Sequence, residues 1–381
     1  MSVFDVHHQP RAQRIVQHAL SSGRLPHAYL FHGPDGVGKE MMADRLAGIL
    51  LCARPVHPQG SPIEELAGFD GALCDACGEC QDCVLVRAGT HPDLHLIYRE
   101  LHKHHPESKV RSRKGLDLSV DVVRHFVIDA VGTKPARGRA KVFVIRQADR
   151  ITPAAQNALL KTLEEPPPTT FLILLSASLD KLLATTKSRC QPVPFVPLPT
   201  DFVAAKLAEL IPDISPELAG SYAAIAQGSL GTALCACQDG LDSYNAKIIE
   251  ALGHLGTAPV TKIAGDWLDD AKALGVQFGV REKGISDTEA QRRGLRALFL
   301  LLATWFSDLL RISVGCETDV VNSGYAGRLA AAGVSADQAA LAIRAIADAE
   351  RNLDRNASTQ LIVEALVTRL SRIAPATHPV V

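Results

Sequence analysis

The sequence is poor in aromatic residues, has almost no net charge and lacks any long apolar run. Aromatic residues make up 5% of the 381 positions, and the formal net charge is −1. A near-neutral chain does not coat nucleic acid by bulk electrostatics, so we expect any DNA contact to be local. No stretch approaches the roughly 18 apolar residues of a membrane span, and the N-terminal segment shows no signal-type cleavage region. The sequence therefore predicts a cytoplasmic protein.

Length and hydrophobic content indicate more than one domain. A chain of 381 residues, 47% of them hydrophobic, exceeds the roughly 250 to 300 residues at which a single core stops growing. We therefore expect two or three domains.

Cysteine is the residue type whose spacing carries most information. In a cytoplasmic protein, nine cysteines are more typical of reduced thiols or metal ligands than of a disulfide framework. The segment CDACGECQDC places Cys74, Cys77, Cys80 and Cys83 at a period of three, and Cys52 lies upstream. Tetrahedral zinc takes four thiolates, and four leave no open position for catalysis. The pattern predicts a structural zinc site with five candidates for four positions, in which Cys74 can replace Cys52 on local spacing alone.

A glycine-rich loop follows a short apolar strand near the N-terminus. In GPDGVGKE, residues 33–40, Gly33, Gly36 and Gly38 allow backbone N–H groups to face a phosphate, and Lys39 supplies a positive charge at the start of a helix. The next position is Ser or Thr in a loop that binds magnesium, but here it is Glu40. The loop therefore either holds ATP or ADP weakly or serves the fold alone, and the glutamate favours the second alternative.

A second departure follows the buried strand predicted at residues 142–145. In phosphoryl-transfer enzymes with a phosphate-binding α/β domain, the corresponding strand ends in carboxylates that hold magnesium and polarise water. Here it ends in Arg146 and Gln147, and Asp149 is expected to cap the next turn. Independent ATP hydrolysis is not expected.

Two further motifs carry a resemblance to a known family. NALLKTLEEPP at residues 157–167, followed by Ser188, Arg189 and Cys190, resembles the clamp-loader branch of the AAA+ proteins. Ordered motifs cover residues 1–235, and the helical remainder matches more loosely. The resemblance implies an α/β fold: an AAA+ P-loop parallel-sheet domain with an inserted zinc module, a small helical lid and a C-terminal helical bundle. The implied boundaries are 1–196 with the zinc module at about 52–83, 197–239 for the lid and 240–381 for the C-terminal collar.

The resemblance also assigns roles to individual residues. It implies that Cys52, Cys77, Cys80 and Cys83 are the zinc ligands. It implies that Arg189 is an arginine finger, which stabilises charge on the ATP of a neighbouring subunit. The alternative for this arginine is an ion pair within its own chain.

The implied function is a largely inert subunit of the clamp loader of bacterial DNA polymerase III. Its expected partners are the ATPase subunits, the clamp-opening subunit and, through the complex, the sliding clamp and primed DNA. One alternative is an active clamp-loader ATPase, which would need magnesium ligands. Another is a free-standing zinc-dependent nucleic-acid-binding protein, which would need a compact basic face.

Three polar segments have no clear place in this scheme. Residues 54–71 separate Cys52 from the later cysteines. Residues 101–115 include His102, His104 and His105. We interpret that segment as a solvated, partly disordered insertion, with a DNA-facing loop or an extra metal site as alternatives. A basic segment before the second nucleotide-handling strand is expected on the surface: Lys134, Arg137, Arg139 and Lys141.

Overall fold

The structure, a computed structural model, describes residues 2–58, 66, 69–113, 115, 117–137, 139–281, 286–316, 320–355 and 357–373. It divides the chain into two compact units, Met1–Pro199 and Thr200–Val381. Half of the 54–71 insertion, residues 59–65, 67 and 68, lies outside the described residues.

The first unit is built on a five-stranded sheet in which every pairing is parallel. The strands are β1 (Ala28–His32), β2 (Leu94–Ile97), β3 (Lys141–Ile145), β4 (Thr170–Ser176) and β5 (Gln191–Pro194). Their order across the sheet is β2-β3-β4-β1-β5. Every residue of β3 and β4 is buried, as expected for strands covered by helices on both faces. The predicted strand at 142–145 is confirmed.

Helices connect these strands. They are α1 (Pro10–Ser21), α2 (Lys39–Leu51), α3 (Gln81–Arg87), α4 (Ser108–Arg111), α5 (Val120–Val123), α6 (Asp129–Val131), α7 (Pro153–Glu164) and α8 (Ala184–Lys187), with a π-helix at Arg124–Ile128 between α5 and α6. Short 3-10 helices lie at Val3–Asp5, Arg99–His104, Ala148–Arg150 and Leu179–Lys181.

Helix α7 shows how local sequence sets these boundaries. The Thr152 hydroxyl caps its first turn by accepting from the Ala155 N–H, and Pro153 occupies a position where a missing N–H costs nothing. Leu159 and Leu163 then pack into the core beneath the sheet. The helix ends at Glu164, just before the prolines at 166–168, which cannot continue it.

The second unit is helical in the part that the structure describes. Its helices are α9 (Thr200–Leu210), α10 (Pro216–Ile225), α11 (Leu230–Gln238), α12 (Leu241–Leu252), α13 (Val260–Arg281), α14 (Asp287–Ser313), α15 (Ala326–Ala331), α16 (Ala336–Asp354) and α17 (Thr359–Ile373), with a 3-10 turn at Ser323–Tyr325. The predicted α/β class with a helical C-terminal region is confirmed. The division of this unit into a lid and a collar at residue 239 remains a prediction.

Helix α14 carries a buried carboxylate near its C-terminal end. Asp308 is fully buried, and its carboxylate accepts hydrogen bonds from the backbone N–H groups of Val321 (3.0 Å) and Asn322 (2.8 Å). Those bonds satisfy a carboxylate that would otherwise be costly to bury.

Within the described residues, no single helix combines the length and hydropathy of a membrane span; the bent pair Ser323–Ala331 and Ala336–Asp354 meets those two criteria jointly.

Candidate functional site

The loop between β1 and α2 adopts the turn that its glycines predict. Gly33, Gly36 and Gly38 all have positive φ angles, a region that side chains other than glycine rarely enter. A Cβ atom on Gly33 would lie 2.2 Å from the backbone oxygen of Phe195, so the loop also packs against the segment that follows β5. Glycine is required at this position by both conformation and space.

The lysine of this loop is engaged by the loop itself. Lys39 is 7% exposed, and its Nζ donates to the carbonyl oxygens of Gly33 and Pro34, both at 2.5 Å, and approaches Asp35 Oδ1 at 3.3 Å. Burial lowers the pKa of Lys39, and the Asp35 carboxylate opposes that shift. A phosphate entering the loop would compete with these contacts for the ammonium group.

The two residues that depart from a magnesium site form an ion pair with each other. Glu40, in the first turn of α2, is paired with Arg146, which follows β3. The Glu40 side chain is 49% exposed and pairs with this arginine. In active phosphoryl-transfer enzymes, side chains at these two positions coordinate the metal. Here they are a carboxylate and a guanidinium that pair with each other.

The polar residues at the ends of β3 and β4 form hydrogen bonds within the chain. Gln147 accepts from the Arg99 Nε at 2.6 Å, and the Ser176 hydroxyl donates to the Ser178 carbonyl at 2.8 Å. The prediction that Asp149 caps the following turn is wrong, because its carboxylate accepts from the backbone N–H after β4 at 3.3 Å. Asp149 thus joins the ends of two neighbouring strands.

Four of the five candidate cysteines converge. The sulfur atoms of Cys52, Cys77, Cys80 and Cys83 all lie within 4.8 Å of one another, and this is the metal-compatible cluster found in the described part of the chain. Cys52 ends α2, Cys80 caps α3, and Cys77 and Cys83 lie on either side of that cap. Of the two alternatives for the first ligand, the structure brings Cys52 into the cluster with the other three cysteines.

The remaining cysteine is held elsewhere. Cys74 exchanges two backbone hydrogen bonds with the side chain of Gln17 in α1, of 2.8 and 2.9 Å, and does not join the cluster. Burial raises the pKa of its thiol.

The geometry of the cluster fits a tetrahedral zinc ion. Zinc–sulfur bonds of about 2.3 Å place ideal ligand sulfurs about 3.8 Å apart. Cys52 lies 3.5 Å from Cys77 and 3.9 Å from Cys80, and Cys77 lies 3.9 Å from Cys83. Burial acts to raise the pKa of Cys80, but N–H groups of Cys83 and Ala53 outweigh it and bring the pKa to about 6. Burial raises the pKa of Cys52 and of Cys83, so the fit to zinc rests on the spacing of the four sulfurs.

The basic segment before β3 braces this cluster. The Arg139 guanidinium donates to the Cys52 carbonyl, and Arg137 forms an ion pair with Asp82 in α3. Surface placement is therefore correct for the two arginines, which are exposed, but wrong for Lys141, which is 3% exposed. Its Nζ donates to the carbonyls at the end of α6, including that of Ala130 at 2.9 Å.

The histidine-rich segment is folded where the structure describes it. His102 and His105 are buried, and the rings of His105 and His125 meet edge to face at 5.0 Å. The prediction of a solvated, partly disordered insertion is wrong for these residues. The alternative of an extra metal site gains no support, since the ligand cluster in the described residues is the one made of cysteines.

Arg189 lies in the turn after α8 and contacts its own chain. Its guanidinium donates to Glu164 Oε1 through Nε (2.6 Å) and Nη2, and to the Thr185 carbonyl through Nη1 (2.9 Å). The side chains are 31% exposed for the arginine and 46% for the glutamate. The structure of the single chain thus shows the intramolecular ion pair.

Sequence reasoning missed the partners of these residues. Glu164 belongs to the stretch NALLKTLEEPP, but nothing in the spacing connects it with an arginine 25 positions later. The Arg139 contact with Cys52 joins residues 87 positions apart. Such pairs are set by the crossover connections of a parallel sheet and leave no periodic signal.

Comparison with known proteins identifies the family. A family model described as DNA polymerase III, delta subunit, matches residues 8–199. The DNA polymerase III subunit delta' of Pseudomonas aeruginosa is 36% identical over 230 residues, which are 60% of this chain and 61% of that protein. The Bacillus subtilis subunit delta' is 27% identical over 95% of this chain and 96% of its own length.

The subunit delta' of Escherichia coli is 31% identical over 70% of this chain and 69% of that protein. Among solved structures, a gamma subunit-related protein from Thermotoga maritima covers 95% of this chain and 99% of its own, with 16% identity and a TM-score of 0.42. The family model spans half of the chain. The chain belongs to the DNA polymerase III delta-prime subunit family.

Proposed function

We propose that this chain is a clamp-loader subunit that hydrolyses no ATP itself and supplies Arg189 to the ATP site of a neighbouring subunit. Its partners are ATPase subunits of the tau/gamma type and the subunit that opens the sliding clamp. The assembled complex would load that clamp on primed DNA in the cytoplasm. The partly exposed guanidinium of Arg189, whose charge is paired with one exposed carboxylate, is the observation that carries the proposal.

The first support is the state of the chain's own P-loop. Glu40 and Arg146 neutralise each other where magnesium ligands would be needed, and Lys39 is bound by its own loop. These contacts disfavour the alternative of an active ATPase subunit, because phosphoryl transfer depends on metal ions that neutralise developing charge. Steady hydrolysis by the isolated chain would support that alternative instead.

The second support is the weakness of the contact that holds Arg189. An ion pair between exposed side chains contributes about 0 to 1 kcal/mol, because both partners are well solvated when apart. A triphosphate carries more charge than the Glu164 carboxylate and offers the bidentate geometry that a guanidinium prefers. Binding a neighbour's nucleotide can therefore replace the intramolecular pair.

The cysteine cluster has a structural role in this proposal. Cys52, Cys77, Cys80 and Cys83 would hold zinc, which supplies a cross-link between α2 and α3 and no open position for a reaction. The chain's own residues extend that link to the sheet, since Arg139 bonds Cys52 and precedes β3.

The experiment is DNA-stimulated ATP hydrolysis by the reconstituted loader, comparing the wild-type chain with Arg189→Ala at equal incorporation. At the neighbouring site we expect a fall in rate of about 10³-fold or more, the effect typical of an arginine finger. The matched control is Arg24→Ala, which removes an exposed arginine from the same unit. Unchanged ATP turnover with Arg189→Ala would indicate that the chain serves the loader only as a scaffold. Tight, salt-dependent DNA binding by the chain alone would instead support the nucleic-acid-binding alternative.

A further inference from the structure

The cysteine cluster and the P-loop lie at opposite ends of one helix. Helix α2 begins in the loop at Lys39 and Glu40 and ends against Cys52, whose sulfur belongs to the cluster. Its 13 residues, at a rise of 1.5 Å each, span about 20 Å. One face of the helix is buried along its whole length, from Met42 to Leu51. A packed helix of this kind is a rigid element that can carry a change at one end to the other.

Strand β3 lies alongside this helix and has a similar length. The strand packs against α2, and all of its residues are buried. Arg139 comes shortly before β3, and Arg146 follows it directly. At about 3.3 Å per residue, the segment between these two arginines advances about 23 Å. Helix and strand therefore form two matched sides, with one arginine at each end of the strand.

The two arginines tie the helix and the strand together at both ends. The Arg139 guanidinium donates to the Cys52 carbonyl at the cluster, and Arg146 pairs with Glu40 at the P-loop. Burial and the Glu40 carboxylate raise the pKa of Asp44, one turn further along α2, and Arg146 opposes that shift. These contacts close the α2–β3 frame, whose corners are Cys52, Arg139, Arg146 and Glu40.

The corner at the P-loop is the weaker of the two. The side chains of Arg146 and Glu40 are 37% and 49% exposed, and ion pairs of such exposure contribute little to stability. Cys52, by contrast, is fully buried and is one of the four converging cysteines. The pair at the P-loop therefore has a balanced equilibrium between closed and open, and the position of the far corner can bias it.

We infer that zinc loading of the cysteine cluster controls the Glu40–Arg146 pair through the α2–β3 frame. With the four cysteines fixed, Cys52 holds the end of α2 and, through Arg139, the start of β3, so that Glu40 and Arg146 are kept in register. Loss of the metal frees the first corner and loosens the pair about 20 Å away, at the other end of α2. The pair at the magnesium positions of the P-loop is then a reporter of metal supply. The inference rests on the zinc-binding part of the proposed function, and Arg189 plays no part in it.

The test measures amide hydrogen exchange of the full chain by mass spectrometry, with zinc bound and after treatment with a chelator. Exchange at residues 42–46 reports the first turns of α2, and exchange at 145–148 reports the end of β3. We expect both segments to exchange at least tenfold faster without zinc, whereas α7, which lies outside the frame, should change less than twofold. In Arg146→Ala the pair is already absent, so chelation should change exchange at 42–46 less than twofold.

A second variant cuts the frame without touching a cysteine, in case chelation unfolds the whole unit. Arg139→Gln should retain one zinc per chain and still exchange at least threefold faster at 42–46 and 145–148. Arg137→Gln is the matched control, because it removes a guanidinium from the same basic segment but one that pairs with Asp82 in α3 rather than with α2. We expect this control to change exchange at both segments less than twofold.

The outcomes separate the inference from the proposed function. Unchanged exchange in Arg139→Gln with zinc retained would overturn the inference, as would an equal rise in Arg137→Gln or in α7 of the Arg139→Gln chain. A wild-type chain that binds no zinc would refute the zinc-binding part of the proposed function together with the inference. Zinc binding by the wild type without any change at the two segments would refute the inference alone.

Discussion

Replacing Cys52 or Cys74 by serine separates two sites that look equivalent in sequence. Cys52→Ser removes a sulfur that lies 3.5 Å from that of Cys77, whereas Cys74 takes part through its backbone atoms and stays outside the cluster. A structural zinc site is worth about 10 to 16 kcal/mol, so an even share is about 2.5 to 4 kcal/mol per thiolate. At about 1.4 kcal/mol for each tenfold change, Cys52→Ser should weaken zinc binding about 10² to 10³-fold.

The assay is competition with a chromophoric chelator, combined with the zinc content of protein purified by gel filtration. Wild type and Cys74→Ser should both retain one zinc per chain and show equal affinity. Because zinc binding contributes to folding, Cys52→Ser should also lower the midpoint of thermal unfolding, and a chelator should lower it in the wild type but not further in that variant. Loss of zinc in Cys74→Ser with retention in Cys52→Ser would refute the assignment of ligands.

Three further predictions concern the first unit. A double-mutant cycle with Glu40→Ala and Arg146→Ala, followed by urea unfolding, should give a coupling of about 0.5 to 1 kcal/mol, since both side chains are partly exposed; a coupling near zero would contradict the pairing. Gly33→Ala should cost about 2 kcal/mol or more in stability, because the new Cβ would lie 2.2 Å from a backbone oxygen. Gly23→Ala, at a positive φ in open space, should cost less stability when the two variants are compared by differential scanning calorimetry. Burial raises the pKa of Cys190 from 9.0 to about 12. The thiol is neutral in both states below pH 9, but above it the unfolded chain ionises first, so stability should fall between pH 9 and 12 and fall less in Cys190→Ala; equal losses would exclude this origin.

Local patterns were sufficient for the elements and the motifs. The glycines of residues 33–38 demand the positive φ angles that the loop adopts, and the apolar run at 142–145 is long enough for a strand but too short for a helix. The prolines after Glu165 stop α7 because proline cannot continue a helix. These features depend on residues that are close together in the sequence, so they can be predicted from it.

The contacts that define the site depend on distant parts of the chain. Spacing alone could not decide whether Cys52 or Cys74 joins the cluster. The outcome depends on where α2 ends and on the hydrogen bonds by which Gln17 in α1 fixes the backbone of Cys74. The pairing of Glu40 with Arg146 was missed for the same reason, as it joins a helix start to the end of a strand that follows two others. The burial of Lys141 was missed because the sequence of the segment is uniformly basic, whereas only its last charged side chain is buried.

Transition-state trapping tests the central claim most directly. In a reconstituted loader, ADP with aluminium fluoride mimics the transferring phosphoryl group, and its retention by the neighbouring ATPase subunit reports stabilisation of that charge. With Arg189→Ala we expect trapping at that site to be lost while ATP binding and assembly stay unchanged. With Glu164→Gln, which weakens the intramolecular pair, trapping should be retained or increased. Normal trapping by Arg189→Ala would contradict a role for this arginine in a neighbour's active site.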